Sequence, residues 1–300
     1  MPAQRETALA LARKAGDHLS AHGIENGRLE AELLLASVLG VKRLDLYLQH
    51  DRPVTQEELE AYRTYVRRRL KREPLQYITG EAAFRKLVLR VDRRALIPRP
   101  ETEVLVGEVL AWARRRPAPV SALDIGTGTG AIALSLALEG GLSPIVASDV
   151  SSEALELAAE NAVRVGAQDR IELRHGALFD PVQAGEAFDV VVSNPPYVAE
   201  ADRAAVAPEV RDHEPEQALF AGMDGLLIIE KLIAGAPAVL RSGGLLALEL
   251  GLGQAETVVA QFGADGRYGP PRIVNDLAGR PRVVLAEHGV TTPVSDSDGK

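Results

Sequence analysis

The sequence predicts an α/β fold in which helices cover a mostly parallel sheet, with a small helical domain before it. From about residue 119, short apolar stretches typical of buried strands alternate with helical stretches. Such alternation indicates βαβ units, because parallel strands need a long crossover connection. Residues 1–75 show only helical patterns, and 300 residues are enough for two domains.

The first domain is predicted to span residues 1–75. Its segment LEAELLLASVLG, at 29–40, is rich in good helix formers and ends at a glycine, as helices often do. Residues 1–80 hold 13 basic and 11 acidic side chains, whereas the whole chain holds 34 and 42. A slightly basic region in an acidic protein supports a separate domain.

A further helix of this domain is predicted after Thr55, which has the capping-box spacing with Glu58. Four apolar residues follow at helical spacing: Leu59, Tyr62, Val66 and Leu70. They predict one buried face. The run RRRLKR at 67–72 is therefore expected to point mostly to water.

A linker is predicted at residues 76–98. Its stretch AFRKLVLRVD, at 83–92, has the pattern of a short strand or hairpin, and we expect a β-hairpin there. The proline-rich stretch IPRPETEVL follows at 97–105 and leads into a helix near 102–115.

The second domain is predicted to span residues 99–287, and residues 288–300 to form a disordered tail. Its seven strands are predicted at VSALDIG (120–126), PIVASD (144–149), RIELRHG (170–176), FDVVVS (188–193), GGLLALELG (243–251), 271–275 and 281–287. The helices between them are predicted at 130–139 and 152–165, near 223–240 and from about 254.

Composition excludes several classes of protein. The chain has no cysteine, so disulfides, thiolate metal sites and a cysteine nucleophile are excluded, and its six histidines show no ligand spacing, so no metal is predicted. The apolar run AIALSLAL at 131–138 is far shorter than the ~20 residues of a membrane span. The net charge of −8 disfavours binding of nucleic acid through bulk charge. We expect a soluble, cytoplasmic protein.

A glycine-rich turn, within LDIGTGTGAIAL at 123–134, joins the first strand of the sheet to its helix. Gly126, Gly128 and Gly130 would allow a nucleotide-like ligand to lie against the backbone at the helix N-terminus. The spacing up to Ala131 also suits NAD, and a plain packing turn is a further alternative.

Two aspartates accompany this turn. Asp149 ends the second strand, 23 residues after Gly126, where a carboxylate can bind ribose hydroxyls of either NAD or S-adenosylmethionine. Asp124 lies two residues before Gly126, and an acidic residue at that place resembles the methyltransferase form of the motif. The alternative for Asp124 is a carboxylate that orders the loop.

The stretch FDVVVSNPPYV, at 188–198, carries the second motif. Its two prolines lack backbone donors, so the chain must leave the sheet after Ser193. This strand is the fourth of the domain, and the carboxyl end of a fourth strand lies beside that of the first. We therefore expect Asn194 beside the cofactor.

The Asn-Pro-Pro-Tyr motif suits an NH₂ group with a delocalised lone pair, such as a carboxamide or an exocyclic base amine. The Asn194 side-chain oxygen and the Pro195 carbonyl would each accept one N–H, so the nitrogen can become tetrahedral and aim its lone pair at an electrophilic methyl. Pro196 would keep the turn extended, and Tyr197 would stack on the planar target. The alternative is an ordinary Asn-Pro turn.

The sequence resembles the peptide chain release factor glutamine-N(5) methyltransferases of the PrmC/HemK type. Eight stretches carry the resemblance, in order: EAELLLASVLG, REPLQYITGEAAF, LIPRPETEVLV, LDIGTGTGAIAL, SNPPYV, HEPEQALFAGMDGL, GGLLALELG and DLAGRPRVV. It implies a Rossmann-like class I methyltransferase domain with a seven-stranded sheet, S-adenosylmethionine as donor, and the glutamine of the Gly-Gly-Gln loop of class I release factors as acceptor. We then expect a monomer that acts in translation termination without binding nucleic acid directly.

Site residues follow from the resemblance by position. The cofactor residues are Asp124, Gly126, Thr127, Gly128, Thr129, Gly130, Asp149, Leu178, Phe179 and Asn194. The substrate residues are Asn194, Pro195, Pro196 and Tyr197, of which Asn194, Pro195 and Tyr197 are assigned to catalysis. The segment HGALFD at 175–180 would cover the adenine through Leu178 or Phe179. Many relatives have an acidic residue where Ala177 stands, so a backbone group is expected to hold the adenine amine.

Residues outside these motifs receive supporting roles from the resemblance. Arg99 and Glu101 would support the site entrance, and Glu214 would order a lid after the active-site turn. Independently of the resemblance, the basic balance of the helical domain and the small side-chain surface of a Gly-Gly-Gln loop lead us to expect that this domain recognises the release factor, with the exposed basic residues Arg67, Arg68 and Lys71 as candidates. The alternative is a merely solvated helix face.

Two other functions compete with this interpretation. A nucleic-acid amino methyltransferase would make the same demand on Asn-Pro-Pro-Tyr, but the acidic chain has no evident target-recognition domain. A non-catalytic NAD- or nucleotide-binding module would explain the glycine-rich turn but not the position of Asn194.

Overall fold

The computed structural model describes residues 7–289. The helices of this range are α1 Ala8–Ala21, α2 Gly27–Leu39, α3 Asp45–Leu48, α4 Gln56–Leu70, α5 Leu75–Thr79, α6 Pro100–Ala113, α7 Ala131–Ser135, α8 Ser152–Arg164, α9 Pro208–Arg211, α10 Leu227–Gly235 and α11 Ala255–Asp265. The strands are β1 Glu81–Phe84, β2 Leu87–Arg90, β3 Ala122–Ile125, β4 Ile145–Asp149, β5 Glu172–His175, β6 Phe188–Ser193, β7 Leu240–Glu249, β8 Arg272–Asn275 and β9 Pro281–Glu287.

The chain folds into two compact units. One contains the described residues up to Glu81 together with Ala207–His213, and the other contains Ala82–Val206 and the described residues from Glu214. The helical unit thus extends past the boundary expected at residue 75. It also takes a segment that follows the Asn-Pro-Pro-Tyr turn in the chain, which no local sequence pattern indicates.

The helical unit begins its fourth helix at the expected cap. Thr55 Oγ1 accepts the Glu58 N–H at 3.2 Å, and a Glu58 carboxylate oxygen accepts the Thr55 N–H at 2.9 Å. Tyr62 on the same helix is buried and donates to the Ala31 carbonyl. Leu59, Val66 and Leu70 are half-buried and pack against the same core. The capping box is therefore confirmed, and the predicted apolar face of α4 does face the core, although only Tyr62 of its four residues is buried.

The basic run at the end of α4 is only partly exposed. Arg69 is buried and pairs with Glu30 and Glu209, and Arg68 pairs with Glu73. The expectation that this run points mostly to water is wrong for Arg69, because two half-buried carboxylates stabilise its charge. Arg67 and Lys71 are exposed.

The second unit contains a seven-stranded sheet in the order β5-β4-β3-β6-β7-β9-β8. The first five of these strands run parallel, and β9 is antiparallel to both β7 and β8. The mostly parallel α/β prediction is confirmed. The first strand of the domain, β3, pairs with the fourth, β6, so the expected neighbourhood of their carboxyl ends is also confirmed.

The middle of the sheet is apolar on both faces. Val190, Val191 and Val192 of β6 are all fully buried, since helices cover both sides of a parallel sheet. The predicted hairpin forms from β1 and β2.

Some predicted helices are shorter than expected. The helix near 223–240 spans only Leu227–Gly235, because Gly225 has a φ of 77° before it and Pro237 lies just beyond its end. The helix at 130–139 divides into α7 and a π-helical turn at Leu136–Gly140.

The predicted disordered tail falls mostly outside the described residues. Its first two residues are ordered, since the His288 N–H bonds the Gly244 carbonyl and the Gly289 N–H bonds the Arg267 carbonyl. Between residues 7 and 289, no helix combines the length and apolar character that crossing a membrane requires.

Candidate active site

The glycine-rich turn lies where the sequence predicts it, between β3 and α7. The backbone φ values are 74° at Gly126, 55° at Gly128 and 82° at Gly130, and residues with a side chain rarely adopt such values. A Cβ added at Gly126 would meet no atom within 4 Å. Packing therefore does not require this glycine, and the open space in front of it is consistent with a ligand.

Asp124 organises this turn from behind. It is fully buried, and its Oδ2 accepts the Thr127 hydroxyl at 2.7 Å and the Ala133 N–H at 3.2 Å. Its Oδ1 is buried and has no hydrogen-bond partner among residues 7–289. The pKa of Asp124 is raised to about 7, mainly by burial and to a smaller extent by the nearby Asp149, while the hydrogen bonds from Thr127 and Ala133 act in the opposite direction.

Asp149 ends β4 and faces the turn. Its Oδ2 accepts the Gly128 N–H at 2.9 Å, and its Oδ1 accepts the Ser151 N–H at 2.9 Å. Burial raises the pKa of this carboxyl, and the backbone donors partly offset that effect. Each carboxylate oxygen keeps a lone pair for a ligand hydroxyl.

A cavity of about 320 Å³ joins the two motifs. The predicted site residues that line it are Gly126, Thr127, Gly128, Thr129, Asp149, Leu178, Asn194, Pro195 and Pro196. Ala177 and Arg99 line it as well. The segment Arg94–Arg99 forms a further wall of the cavity. Most of this segment lies in the predicted linker.

Four predicted site residues do not line this cavity. Asp124 lies behind the turn, and Gly130 precedes α7, where it packs close to Leu134. The ring of Phe179 packs closely against Gly235, since a Cβ added to Gly235 would lie 2.3 Å from that ring. The ring contact proposed for this segment therefore falls to Leu178. Tyr197 lines a different cavity.

The residues around the cavity fit S-adenosylmethionine. The space in front of Gly126 suits a ligand lying on the backbone, and Asp149 offers a carboxylate to ribose hydroxyls. The buried carboxyl of Asp124 lies behind the turn, and its ionised form would favour a cationic ligand. These carboxyl groups thus suit a ligand with a ribose and a positive charge.

The Asn-Pro-Pro-Tyr turn follows β6 and presents unused acceptors. The Asn194 Nδ2 donates to Thr102 Oγ1 at 3.0 Å, which leaves Oδ1 of the same amide without a donor among the described residues. The Pro195 and Pro196 carbonyls likewise receive no hydrogen bond within residues 7–289. The acceptor array expected from the motif is thus present in the turn.

Tyr197 completes the turn and is anchored at both ends. Its hydroxyl donates to Glu249 Oε1 at 3.3 Å, and its carbonyl accepts the Gln254 Nε2–H at 3.1 Å. Burial raises the pKa of Tyr197, so the phenol stays neutral. Its side borders a second cavity of about 760 Å³, which Asp202, Asp224 and Arg282 also line.

Glu249 connects these residues and was missed by the sequence analysis. It is fully buried, and its Oε2 accepts the Thr102 hydroxyl at 2.6 Å. Burial raises its pKa to about 7. A glutamate inside the apolar run LLALELG is itself a signal, since burying a charge is costly without partners.

A second buried carboxylate, that of Glu214, connects the segment around Ile97 and Arg99 to the chain that follows the active-site turn. Glu214 is buried, accepts the Ile97 N–H at 3.2 Å and pairs with Arg99 at 2.6 Å. Glu101 does not line the cavity, although its charge raises the pKa of Glu249. The site therefore brings Arg99 and Glu214 together.

Two family models match the chain. The PrmC N-terminal domain matches residues 10–80, and the methyltransferase small domain matches residues 103–214. The first match covers much of the helical unit, and the second covers both motifs of the site.

Relatives and solved structures agree with these matches. A release factor glutamine methyltransferase of Geobacter sulfurreducens is 47% identical over 83% of this chain and 86% of its own length. One of Chlorobaculum tepidum is 45% identical over 76% of this chain and 79% of its own. A crystal structure of a methyltransferase from Pyrococcus furiosus has a TM-score of 0.50 and 20% identity, covering 67% of this chain and 89% of that one, which supports the fold.

Proposed function

This chain belongs to the release factor glutamine methyltransferase family, and on that premise we propose that it methylates the side-chain amide nitrogen of the glutamine in the Gly-Gly-Gln loop of class I release factors. The observation that carries the proposal is the pair of acceptors, Asn194 Oδ1 and the Pro195 carbonyl, that receive no hydrogen bond within residues 7–289 and lie beside a cavity lined by the Asp149 carboxylate. We further propose a cytoplasmic location, because the substrate is a translation factor.

The proposed methyl donor is S-adenosylmethionine. Asp149 would bind its ribose hydroxyls, the turn from Gly126 to Thr129 would support it, and Leu178 would contact its adenine. Asp124 contributes negative charge from behind the turn. When bound, this cofactor supplies an electrophilic methyl group on a positively charged sulfur.

The acceptors of the turn perform the activation. Asn194 Oδ1 and the Pro195 carbonyl each hold one N–H of the glutamine amide, which directs the nitrogen lone pair toward the methyl group. The nitrogen that receives a methyl group would carry positive charge, and the two acceptor oxygens would stabilise that charge. The extra proton leaves to water afterwards, so the chain needs no strong base.

The Asn-Pro-Pro-Tyr turn borders both cavities. Asn194, Pro195 and Pro196 line the first, whereas Tyr197 and Val198 line the second. We assign the first to the cofactor and to the glutamine side-chain amide that Asn194 and Pro195 would hold, and the second to the rest of the glutamine loop of the substrate. Tyr197 then forms a wall that excludes water from the amide.

The helical unit is proposed to recognise the body of the release factor. A Gly-Gly-Gln loop offers little side-chain surface, so the selection of one glutamine needs contacts remote from the amide. Arg67 and Lys71 are the exposed cations of the predicted set, whereas Arg68 is held by Glu73.

Charge reversal tests this recognition. We expect Arg67→Glu with Lys71→Glu to raise KM for an intact release factor several-fold, as rim charges do, with kcat and cofactor affinity unchanged. Arg13→Glu is the matched control, since Arg13 is exposed on α1 of the same unit. An unchanged KM in the double variant would remove these residues from recognition. Deletion of residues 1–80 is a poorer test, because Glu209, which would remain in the chain, would lose Arg69 and Arg72.

A labelled-methyl assay tests the activity itself. The protein is incubated with methyl-labelled S-adenosylmethionine and, separately, with a class I release factor, duplex DNA and ribosomal RNA. We expect label only in the release factor. Label only in nucleic acid would establish the base amine as the substrate and overturn the proposal.

A further inference from the structure

A chain of four side chains, of which Thr102 and Glu249 are buried, links the active-site turn to the end of the neighbouring strand. Asn194 Nδ2 donates to Thr102 Oγ1 at 3.0 Å, Thr102 Oγ1 donates to Glu249 Oε2 at 2.6 Å, and the Tyr197 hydroxyl donates to Glu249 Oε1 at 3.3 Å. Thr102 and Glu249 are 4% and 0% exposed, so water does not compete for these bonds.

The sheet register explains why these residues meet. Ser193 of β6 pairs with Leu248 of β7, so Asn194 and Glu249 follow paired residues on parallel neighbours. Thr102 lies in the first turn of α6. Three separate elements thus converge on one carboxylate.

The direction of each hydrogen bond follows from chemistry. An ionised carboxylate only accepts, so the Thr102 hydroxyl must give its single proton to Glu249. The Thr102 oxygen is then left as an acceptor for its other neighbour, and only the Nδ2 side of the Asn194 amide can satisfy it. This forces Asn194 Oδ1 to the opposite side.

We infer that Glu249 is a positioning residue that, through Thr102, fixes which end of the Asn194 amide faces the substrate. This inference rests on the proposed function, in which Oδ1 accepts an N–H of the glutamine amide. A protonated Glu249 can donate to Thr102, whose hydroxyl then donates to Asn194. The amide turns over, and its NH₂ meets the NH₂ of the substrate.

The surroundings of Glu249 place its pKa in a range where enzyme activity can be measured. Burial raises its pKa to about 7, and Glu101 raises it as well. The Thr102 and Tyr197 hydroxyls and the Arg282 guanidinium act in the opposite direction. Activity is therefore expected to fall as pH drops below about 7.

The first test is the pH profile of methyl transfer to an intact release factor. We expect wild-type kcat to fall about tenfold per pH unit on the acid side, as for one required ionisation. Glu249→Gln, whose amide oxygen accepts from Thr102 at every pH, loses several-fold at about pH 8 but has no acid limb. Glu32→Gln is the control, because Glu32 is equally buried and bonded to the Tyr47 hydroxyl in the other unit. An acid limb retained in Glu249→Gln would overturn the inference.

A second pair of variants guards against a purely structural effect. Thr102→Val keeps the shape of the side chain but neither donates nor accepts, and we expect kcat to fall at least about tenfold with cofactor affinity within about twofold. Thr102→Ser should restore most of that rate. Equal losses in both variants would contradict a hydrogen-bonding role.

A substrate-free measurement separates this inference from the proposed function. The Asn194 side-chain ¹⁵N signal of the full-length protein, assigned by its loss in Asn194→Ala, should shift with the titration of the Glu249 carboxyl carbon. If that shift occurs but no release factor is methylated, the proposed function fails and the positioning role stands. If methylation occurs without that coupling, the positioning role is wrong.

Discussion

The two turns that border the cavity are built in different ways. In the glycine-rich turn, Asp124 holds Thr127 and Ala133, partners three and nine positions away in the chain. In the Asn-Pro-Pro-Tyr turn, Asn194 is held by Thr102, 92 positions away, and Tyr197 by Glu249, 52 positions away. The first turn is a local structure, whereas the second depends on the fold of the whole domain.

This difference suits the two proposed tasks. Cofactor binding needs backbone groups and one carboxylate, which a strand, a turn and a helix supply together. Activation of an amide nitrogen needs two acceptors at a fixed orientation, and remote buried partners can hold them rigidly. Changes in the first turn should therefore alter affinity, and changes in the second should alter turnover.

The largest effect is expected at the second turn. Asn194→Ala removes one of two acceptors for the developing charge, and losses of such groups cost about 10²–10³ in kcat. Cofactor affinity should change little, because Asp149 and the glycine-rich turn remain. Single-turnover kinetics and calorimetry measure the two quantities, with Asn275→Ala, at an exposed strand end, as control. Near-normal turnover would exclude Asn194 from the mechanism.

At the first turn we expect a smaller effect, on cofactor affinity and not on turnover. Asp149→Ala should weaken S-adenosylmethionine binding by about 2 kcal/mol, the usual loss for hydrogen bonds to a charged group. Calorimetry measures the affinity, and Asp169→Ala, on an exposed loop, is the control. Unchanged affinity would show that Asp149 is not the ribose anchor, and the contrast between the two turns would then fail.

The smallest expected effect is the pH dependence of cofactor affinity. The pKa of Asp124 is raised to about 7, so the carboxyl is mostly neutral at about pH 6 and mostly ionised at about pH 8. A cationic ligand favours the ionised form, so affinity should rise a few-fold over this range. Asp124→Asn should flatten the calorimetric profile. A flat wild-type profile would show that this charge does not reach the ligand.

The same comparison explains what could be predicted from sequence. The glycine spacing, Asp124 and Asp149 are visible because their partners lie within one βαβ unit, and β6 was placed beside β3 by the order of the elements. Thr102 and Glu249 are within quoted motifs, yet nothing local shows that their side chains meet.

Two other features escaped the sequence for the same reason. The burial of Arg69 depends on Glu209, which lies 140 positions away in the segment Ala207–His213. Phe179 is adjacent to Leu178 in the chain, but the backbone directs its ring toward Gly235 and away from the cavity. In both cases a tertiary partner, and not the local pattern, decides the environment.

Tandem mass spectrometry of a treated release factor tests the central claim most directly. A class I release factor is incubated with S-adenosylmethionine and either the wild-type protein or Asn194→Ala, and the position of the added methyl group is mapped. The account predicts one methyl on the side-chain amide of the Gly-Gly-Gln glutamine with the wild-type protein, and almost none with the variant although it still binds the cofactor. A methyl group on any other residue, or equal methylation by both proteins, would contradict it.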